Sequence, residues 1–294
     1  MKIKGSVGDI VFGVVNSILM IGLMAVTLYP LLYVAFASVS DPAAFMQFRG
    51  VLFKPLGFTV EAYRRVFDNP MILIGYRNTL FYVIAGTSLN LLMTALGAYV
   101  LSRRNVPLIR PIMVGIVFTM FFSGGLIPTF LLVGRTLGLM DTPWALIVPV
   151  AISTYNLIIM RTGFEAVPYE LEEAARMDGA NDLDILFRIV LPLSKPVLAV
   201  IILFYAVAHW NAFFNAMVYL RNREWYPLQL ILREILIVNA TDSMVTGGST
   251  GDLIPIGETI KYATIVVATL PILCIYPFLQ RYFVKGVMIG AIKG

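Results

Sequence analysis

The sequence has little charge. Only 13% of its 294 residues are Asp, Glu, Lys or Arg, whereas a soluble domain carries about 25%. Hydrophobic residues make up 59% of the chain and the mean hydropathy is +0.84. A water-soluble fold is therefore excluded, and the chain is expected to be a membrane protein that contacts lipid. The net charge of +5 comes without the basic–aromatic interleaving of a nucleic-acid binder, so no nucleic-acid partner is expected.

Cysteine and histidine occur once each, as Cys274 and His209. An intrachain disulfide is excluded, and a lone histidine without a second ligand makes no metal site. The sequence also lacks a G-x-x-x-x-G-K-[ST] phosphate loop. We therefore predict a chain that is not an enzyme and that binds no cofactor or metal itself.

Six apolar runs are long enough to cross a bilayer as helices, which takes about 20 residues each. They predict an all-α polytopic fold with a first helix and external loop at 1–75 and a five-helix core at 76–294. The first run is too long for a cleaved signal peptide, so we expect it to be retained. The runs cover residues 10–37, 79–101, 111–133, 143–160, 197–220 and 262–280.

Charged groups are almost absent from these runs, in which His209 is the one ionisable side chain besides tyrosine and cysteine. Ion-coupled transporters keep acidic or basic groups at membrane depth, so a secondary transporter or channel is the weaker alternative. An intramembrane enzyme is disfavoured because no paired carboxylates or Ser–His pair are visible. If this chain moves solute uphill, a partner must supply the energy.

Basic residues in the short loops indicate the orientation. The loop at 102–110 has three arginines, whereas the loop at 134–142 has one. Because Lys and Arg concentrate on the cytoplasmic side and the number of spans is even, we expect both termini to be cytoplasmic.

The segment 161–196 between the fourth and fifth runs is the most charged part of the chain. Pro168 suits a first helical position, acidic residues follow it, and Gly179 can close a helix. This pattern predicts a helix over 168–178.

A second short helix is expected after Gly179. Asn181 or Asp182 can cap it, and it should end before Pro192. Pro196 should then start the fifth span.

The surface of this segment has two features that suit a docking partner. Between 161 and 195 it has seven acidic and four basic residues, which favours a basic-rimmed groove. Its small residues, Ala174, Ala175, Gly179 and Ala180, would let another protein approach closely. The alternative is an ordinary solvated loop.

A longer pattern in the same segment resembles the signature loop of binding-protein-dependent ABC importer permeases. It consists of Glu173-Ala174-Ala175, three residues, Gly179, nine residues, and Ile189-x-Leu191-Pro192. The resemblance implies a type I permease core in a bacterial inner membrane, with 168–178 as the coupling helix that enters a cleft of an ATPase subunit. The implied ATPase contacts are Glu173, Ala174, Ala175, Asp178, Gly179, Ala180, Ile189, Leu191 and Pro192.

Other motifs resemble the carbohydrate, maltose-importer-like branch of this family. They are Ala98 to Arg103, Trp210-Asn211 and the ending Tyr276-Pro277-Phe278 … Lys293-Gly294. The stretch Phe122 to Pro128 is similar to the subgroup that imports complex polysaccharides such as alginate or pectin fragments. Permeases for amino acids or metals remain an alternative on the signature loop alone.

The resemblance implies a set of partners. They are a second, homologous permease, two ATPase subunits that bind ATP and Mg²⁺, and an external solute-binding protein that delivers an oligosaccharide. The short C-terminal tail is similar to that of the smaller of the two permeases. Gly179 would matter because the chain turns there and any Cβ would obstruct the joint.

The fifth run offers aromatic and amide side chains that could meet a sugar. On a helix, Asn211 and Asn215 share one face, while Tyr205, His209 and Phe213 share nearly the opposite one. Both sets are therefore not expected to line one pore. The candidates for the substrate pathway are Asn211, Asn215, Trp210, Tyr155 and Asn156.

The alternative for the two asparagines is hydrogen bonding to neighbouring helices. His209 is expected to be an interhelical packing residue. In the third run, Gly124-Gly125 before Pro128 predicts a break or bend.

Overall fold

The computed structural model describes residues 7–103, 106–245, 259–274 and 277, and the described part contains no strand. The all-α prediction is confirmed. The C-terminal motif Tyr276-Pro277-Phe278 … Lys293-Gly294 lies outside the described residues except for Pro277. The helices are α1 Val7–Ser38, α2 Pro42–Gln47, α3 Glu61–Asp68, α4 Pro70–Ser102, α5 Ile109–Phe121, α6 Leu126–Thr136, α7 Thr154–Glu165, α8 Tyr169–Met177, α9 Asp182–Leu193, α10 Lys195–Trp210, α11 Phe214–Tyr219, α12 Leu228–Val245 and α13 Thr259–Cys274.

Two helices, α1 and α4, contain continuous stretches long and apolar enough to cross a membrane. Three further spans are possible within the described residues if bent helix pairs count as one span each: α5 with α6, a 3₁₀ segment with α7, and α9 with α10. The helix α13 is apolar but has only 16 described residues. The fold therefore has breaks at points where apolar runs alone predict continuous helices.

The break in the third run is confirmed. The helices α5 and α6 meet at an angle of 108°, and Gly125 between them has φ +84°. A side chain with a Cβ adopts that conformation at a cost, so glycine suits the corner.

The fourth and fifth runs are also broken, and the expectation of single helices is wrong for both. In the fourth run, the 3₁₀ segment Pro143–Val150 contains prolines and meets α7 at an angle of 51°. The side chain of Ser153 caps the N-terminus of α7. In the fifth run, α10 ends at Trp210 and α11 begins at Phe214. The side-chain amide and the backbone N–H of Asn211 both donate to the carbonyl of Val207, at 2.9 and 3.0 Å, where the helix ends.

The helix α4 begins nine residues before the apolar run that predicts it. Pro70 is its first residue, a position at which proline is favoured. Hydropathy detects only the apolar part of a helix. The N-terminal part of α4, which contains Arg77, precedes that apolar part. A π-helical turn at Tyr82–Gly86 interrupts its regular hydrogen bonding.

The described chain divides into two compact units. The first combines Met1–Pro70 with Leu232–Leu270. Within it, the rings of Tyr33, Phe45 and Tyr262 pack edge to face with centroids 5.4–6.3 Å apart. The hydroxyls of Ser38 and Tyr63 are 2.7 Å apart. The predicted domain division at residue 75 stays a prediction.

The second unit, Met71–Ile231 with Pro271–Gly294, contains the charged segment and the pathway candidates. Its larger core is formed by α4, α7, α9 and α10. The buried side chains that meet there include Tyr99, Phe164, Leu186, Val190 and Tyr205. These four helices therefore hold both candidate regions in place.

Asp141 joins two loops of the second unit. Its carboxylate Oδ1 accepts the backbone N–H groups of Arg221 at 2.8 Å and Asn222 at 2.7 Å, and its own N–H donates to the carbonyl of Tyr219 at 2.9 Å. The hydrogen bonds from Asn222 and then Arg221 lower the pKa of this carboxyl. Since its pKa is depressed, its stabilisation is present above the pKa of the unfolded chain and is lost as pH falls through the folded value.

Replacing this carboxylate tests whether its charge contributes to joining the two loops. Asp141→Asn keeps a side chain that tolerates the positive φ of 57° but removes the charge. We expect the variant to unfold at a lower temperature at neutral pH, with a gap from wild type that closes as pH falls. Thermal unfolding of the purified protein over a pH series measures this gap. A gap independent of pH would contradict the role of the ionised form.

Candidate functional site

The helix α8 closes with a glycine in the left-handed conformation. Gly179 has φ +84°, the N–H of Ala180 donates to the carbonyl of Ala175 at 2.9 Å, and the N–H of Gly179 donates to Arg176 at 3.0 Å. These two bonds form a Schellman motif, in which glycine is favoured at this position. The predicted role of Gly179 as a helix terminator is confirmed.

The steric part of the Gly179 prediction is not visible within this chain. Apart from its chain neighbours, no described residue has an atom within 4 Å of the position that a Cβ would occupy. The backbone conformation is therefore the reason for glycine that the described residues show.

The other helix boundaries of this segment differ slightly from prediction. The helix α8 spans Tyr169–Met177, with Pro168 just before it in an extended conformation. The side chain of Asn181 caps α9, as predicted. That helix does not end before Pro192: after a π-helical turn it continues to Leu193, with Pro192 just after that turn.

The small residues of the segment do not form one exposed surface. Ala175 and Ala180 are half-buried and pack against the chain's own core, whereas Ala174 and Gly179 are exposed. The expectation that all four present a surface to a partner is wrong, because α8 turns one side toward α4 and α7. Of the other predicted contacts, Ile189 and Leu191 are half-buried and Glu173, Asp178 and Pro192 are exposed.

The acidic residues of the segment also divide into two groups. Glu165, Asp182 and Asp184 each form an ion pair with an arginine. Glu172 is completely buried and paired with Arg103, so it does not belong to the exposed acidic surface. The acids that remain exposed without an ion pair between described residues are Glu170, Glu173 and Asp178.

Large apolar side chains lie among these acids. Met177, at the end of α8, is 88% exposed, the largest fraction for any described large hydrophobic residue. Leu171, Leu183 and Phe187 are also exposed. We call Glu170, Glu173, Met177, Leu183 and Phe187 the loop face. Exposed apolar groups in the same segment as exposed charges are typical of a protein interface.

A cavity of about 540 Å³ lies beside α10 in the second unit. Among the residues that line it, Tyr205 and His209 are the only ones with ionisable side chains. Three asparagines, Asn156, Asn211 and Asn215, line it together with Phe213. The cavity combines amide hydrogen-bonding groups with aromatic surfaces, the chemistry that a sugar ring requires.

The prediction that the two sets of side chains cannot share a pore is wrong. Asn211, Asn215, Tyr205, His209 and Phe213 all line this one cavity. The helical wheel fails because α10 ends at Trp210, and the next three residues are not helical.

Two of the predicted pathway residues lie outside the cavity lining. Trp210 is buried and packs edge to face on Tyr76, with ring centroids 6.3 Å apart. Tyr155 is exposed and lies 6.3 Å from the ring of Phe204. Neighbours in sequence thus have different environments.

A buried hydrogen-bond network supports the cavity wall. His209 Nε2 donates to Asn90 Oδ1 at 2.6 Å, and Asn90 Nδ2 donates to the carbonyl of Val150 at 2.6 Å. The Tyr205 hydroxyl is 2.7 Å from Thr94 Oγ1 and accepts the N–H of Ser153 at 2.9 Å. The predicted interhelical role of His209 is confirmed.

The His209 ring also packs tightly against α4. A Cβ on Gly86 would lie 2.4 Å from His209 Nε2, so the ring occupies the space that this glycine leaves. The network and this contact fix α10 against α4 next to the cavity.

Sequence reasoning missed the buried Arg103–Glu172 pair and the apolar part of the loop face. The pattern Tyr169 to Met177 gave a partial signal, since Glu172 and Ala175 are three residues apart and share a helix face. The burial of Glu172 depends on packing against distant parts of the chain, which a local pattern does not reveal.

Comparisons with known proteins agree with these features. The chain is 44% identical to Protein LplC of Bacillus subtilis over 285 residues, 97% of this chain and 95% of that protein. It is 45% identical to the polygalacturonan/rhamnogalacturonan transport system permease protein YtcP of the same bacterium, over 82% of this chain and 84% of that protein.

A solved structure is similar along nearly the whole chain. It belongs to a bacterial ABC transporter involved in the import of the acidic polysaccharide alginate, with 37% identity, a TM-score of 0.85, and coverage of 96% of this chain and 100% of that one. Residues 99–289 match the family model described as binding-protein-dependent transport system inner membrane component. The chain therefore belongs to the family of binding-protein-dependent inner membrane components, the permease subunits of ABC importers.

Proposed function

We propose that this chain is one of two permease subunits of an ATP-driven importer that carries oligosaccharides, among them acidic polysaccharide fragments. Permeases of this family work with a second permease, an ATPase and a solute-binding protein. Polygalacturonan and alginate, named for two relatives, are both chains of uronic acids. The cavity beside α10, with amides and aromatic rings in its lining, is the observation that carries the proposal.

The finer organisation is part of the proposal. The two permeases are different chains, two ATPase subunits bind ATP and Mg²⁺, and both termini of this chain are cytoplasmic. The three arginines in the sequence of the loop at 102–110 support this orientation. It places α8 on the same side of the membrane as the ATPase.

The substrate class can be tested on the reconstituted complex. Proteoliposomes that contain both permeases, the ATPase and the binding protein should take up uronate oligomers only with ATP inside. Neutral malto-oligosaccharides serve as the comparison. Uptake that needs no ATP, or the absence of uptake for every oligosaccharide tested, would contradict the proposal.

The cavity asparagines are proposed to form hydrogen bonds with the passing sugar. Replacing any one of Asn156, Asn211 and Asn215 by leucine removes the amide at similar volume. Because one hydrogen bond contributes about 1 kcal/mol, we expect ATP-driven uptake to fall about fivefold. Basal ATP hydrolysis and assembly should be unchanged, as followed by uptake and ATPase assays.

Tyr155→Leu is the matched control, because Tyr155 lies in the same segment but outside the cavity lining. A loss of uptake in this control equal to that of the three asparagine variants would refute the assignment of the cavity.

The loop face is proposed to dock on the ATPase. It combines exposed acids with exposed apolar side chains. Apolar side chains at the centre of an interface supply most of its affinity, and charges mainly set orientation and partner choice. Met177 is therefore expected to be the anchor and Glu173 a charged contact at the rim.

Docking is tested by co-purification of the ATPase subunits with tagged permease. Met177→Asp should release most of the ATPase, since losing a central contact costs about 2 kcal/mol or more. Glu173→Lys should weaken binding less than Met177→Asp does. Its effect should be larger at low salt than at high salt, because salt screens charges at the rim of an interface. Full retention of the ATPase by Met177→Asp would disprove the docking site. Leu108→Asp controls for the added charge, because Leu108 is an exposed apolar residue outside the loop face.

A further inference from the structure

The helix α8 carries a buried carboxylate, although the acidic side chains beside it on the same helix are exposed. Glu172 is 0% exposed, whereas Glu170 and Glu173 beside it are exposed. Burying a carboxylate is costly unless a charged partner compensates it. The loop face does not include Glu172, because no part of the Glu172 side chain reaches the surface.

The partner of Glu172 is Arg103, the residue that follows α4. The Arg103 side chain is 12% exposed, and among ion pairs between described residues this is the one with both side chains largely buried. Arg103 is fixed by further contacts. Its guanidinium lies 4.7 Å above the Tyr99 ring and donates to Ser102 Oγ at 3.1 Å and to the Phe164 carbonyl at 3.4 Å.

The surrounding contacts hold the same helix ends together. Arg161 Nε of α7 donates to the carbonyl of Leu101 at 2.9 Å. The Tyr99 hydroxyl donates to Asp182 Oδ1 at 3.4 Å, and Arg176 donates to the same oxygen at 2.6 Å. The Arg176–Asp182 pair is exposed to solvent and contributes little. The Arg103–Glu172 pair is therefore the buried charged link between α8 and α4.

The helix α4 connects this link to the cavity wall. Thr94 and Asn90 of α4 form hydrogen bonds with Tyr205 and His209 of α10, and both partners line the cavity. At 1.5 Å per residue, Asn90 lies roughly 20 Å along the helix from Arg103. One helix thus reaches from the joint with α8 to the candidate pathway.

We infer that the Arg103–Glu172 pair is the positioning contact that makes α8 move together with the end of α4. ATPase movement at the loop face is thereby passed to the cavity wall. This inference rests on the proposed docking of the loop face. A contact of two fixed, buried charges has a defined direction, whereas exposed side chains can slide past one another.

The test uses the complete reconstituted transporter and measures sugar uptake per ATP hydrolysed. Glu172→Gln and Arg103→Gln should each lower this ratio about tenfold, a usual size for coupling between sites. The ATPase subunits should stay bound, because neither change touches the loop face. Glu165→Gln is the matched control, since Glu165 pairs with Arg161 within a single helix.

A purely structural role is separated by the double variant Arg103→Met/Glu172→Leu, which replaces the pair by apolar side chains and leaves no buried charge unpaired. Its thermal stability should recover relative to the single variants while uptake per ATP stays low. Recovery of uptake together with stability would overturn the inference. So would a normal ratio in Glu172→Gln.

These outcomes are distinct from failure of the docking proposal. Docking fails if Met177→Asp keeps its ATPase subunits, whatever the ratio in Glu172→Gln. The inference fails if Glu172→Gln couples normally while Met177→Asp loses the ATPase. Loss of the ATPase in Glu172→Gln would also contradict it, because the pair would then act by supporting the loop face.

Discussion

The buried pair of Arg103 and Glu172 is the charged contact between α8 and the end of α4 in the second unit. It attaches α8, whose outer side is exposed acid and apolar surface, to the end of α4. A buried ion pair is a weak source of net stability, since desolvation offsets much of the attraction. Its value here is geometric. Burial lowers the pKa of Arg103, but the arginine stays charged. The charged pair therefore favours one orientation of α8.

In the proposed mechanism the two candidate regions are parts of one mechanical unit. The loop face would receive the movement of the ATPase, and α4 would carry it to the wall of a cavity suited to neutral hydroxyl groups. Among the residues that the structure describes, none of those lining that cavity is a lysine or an arginine.

The sequence predicted those features that follow from local chemistry. Apolar runs predicted the helices, Gly179 the end of α8, Asn181 the cap of α9, and Gly125 the corner between α5 and α6. The break after Trp210 was missed because hydropathy does not register a helix end within an apolar run. That break invalidated the helical wheel and brought Asn211 and Asn215 to the same cavity as Tyr205. The burial of Glu172 depends on packing between distant segments, and no local pattern predicts it.

The central claim is that α8 and α4 move as one body, and a distance measurement tests it most directly. Spin labels at Leu80 of α4 and Leu171 of α8, both exposed and both outside the loop face, would be introduced with Cys274 replaced by serine and measured by pulsed electron resonance. Their separation should be the same in the nucleotide-free and ATP-trapped transporter, and its distribution should broaden in Glu172→Gln. A separation that changes with nucleotide in the otherwise native chain would show that α8 hinges independently of α4, and would contradict the claim.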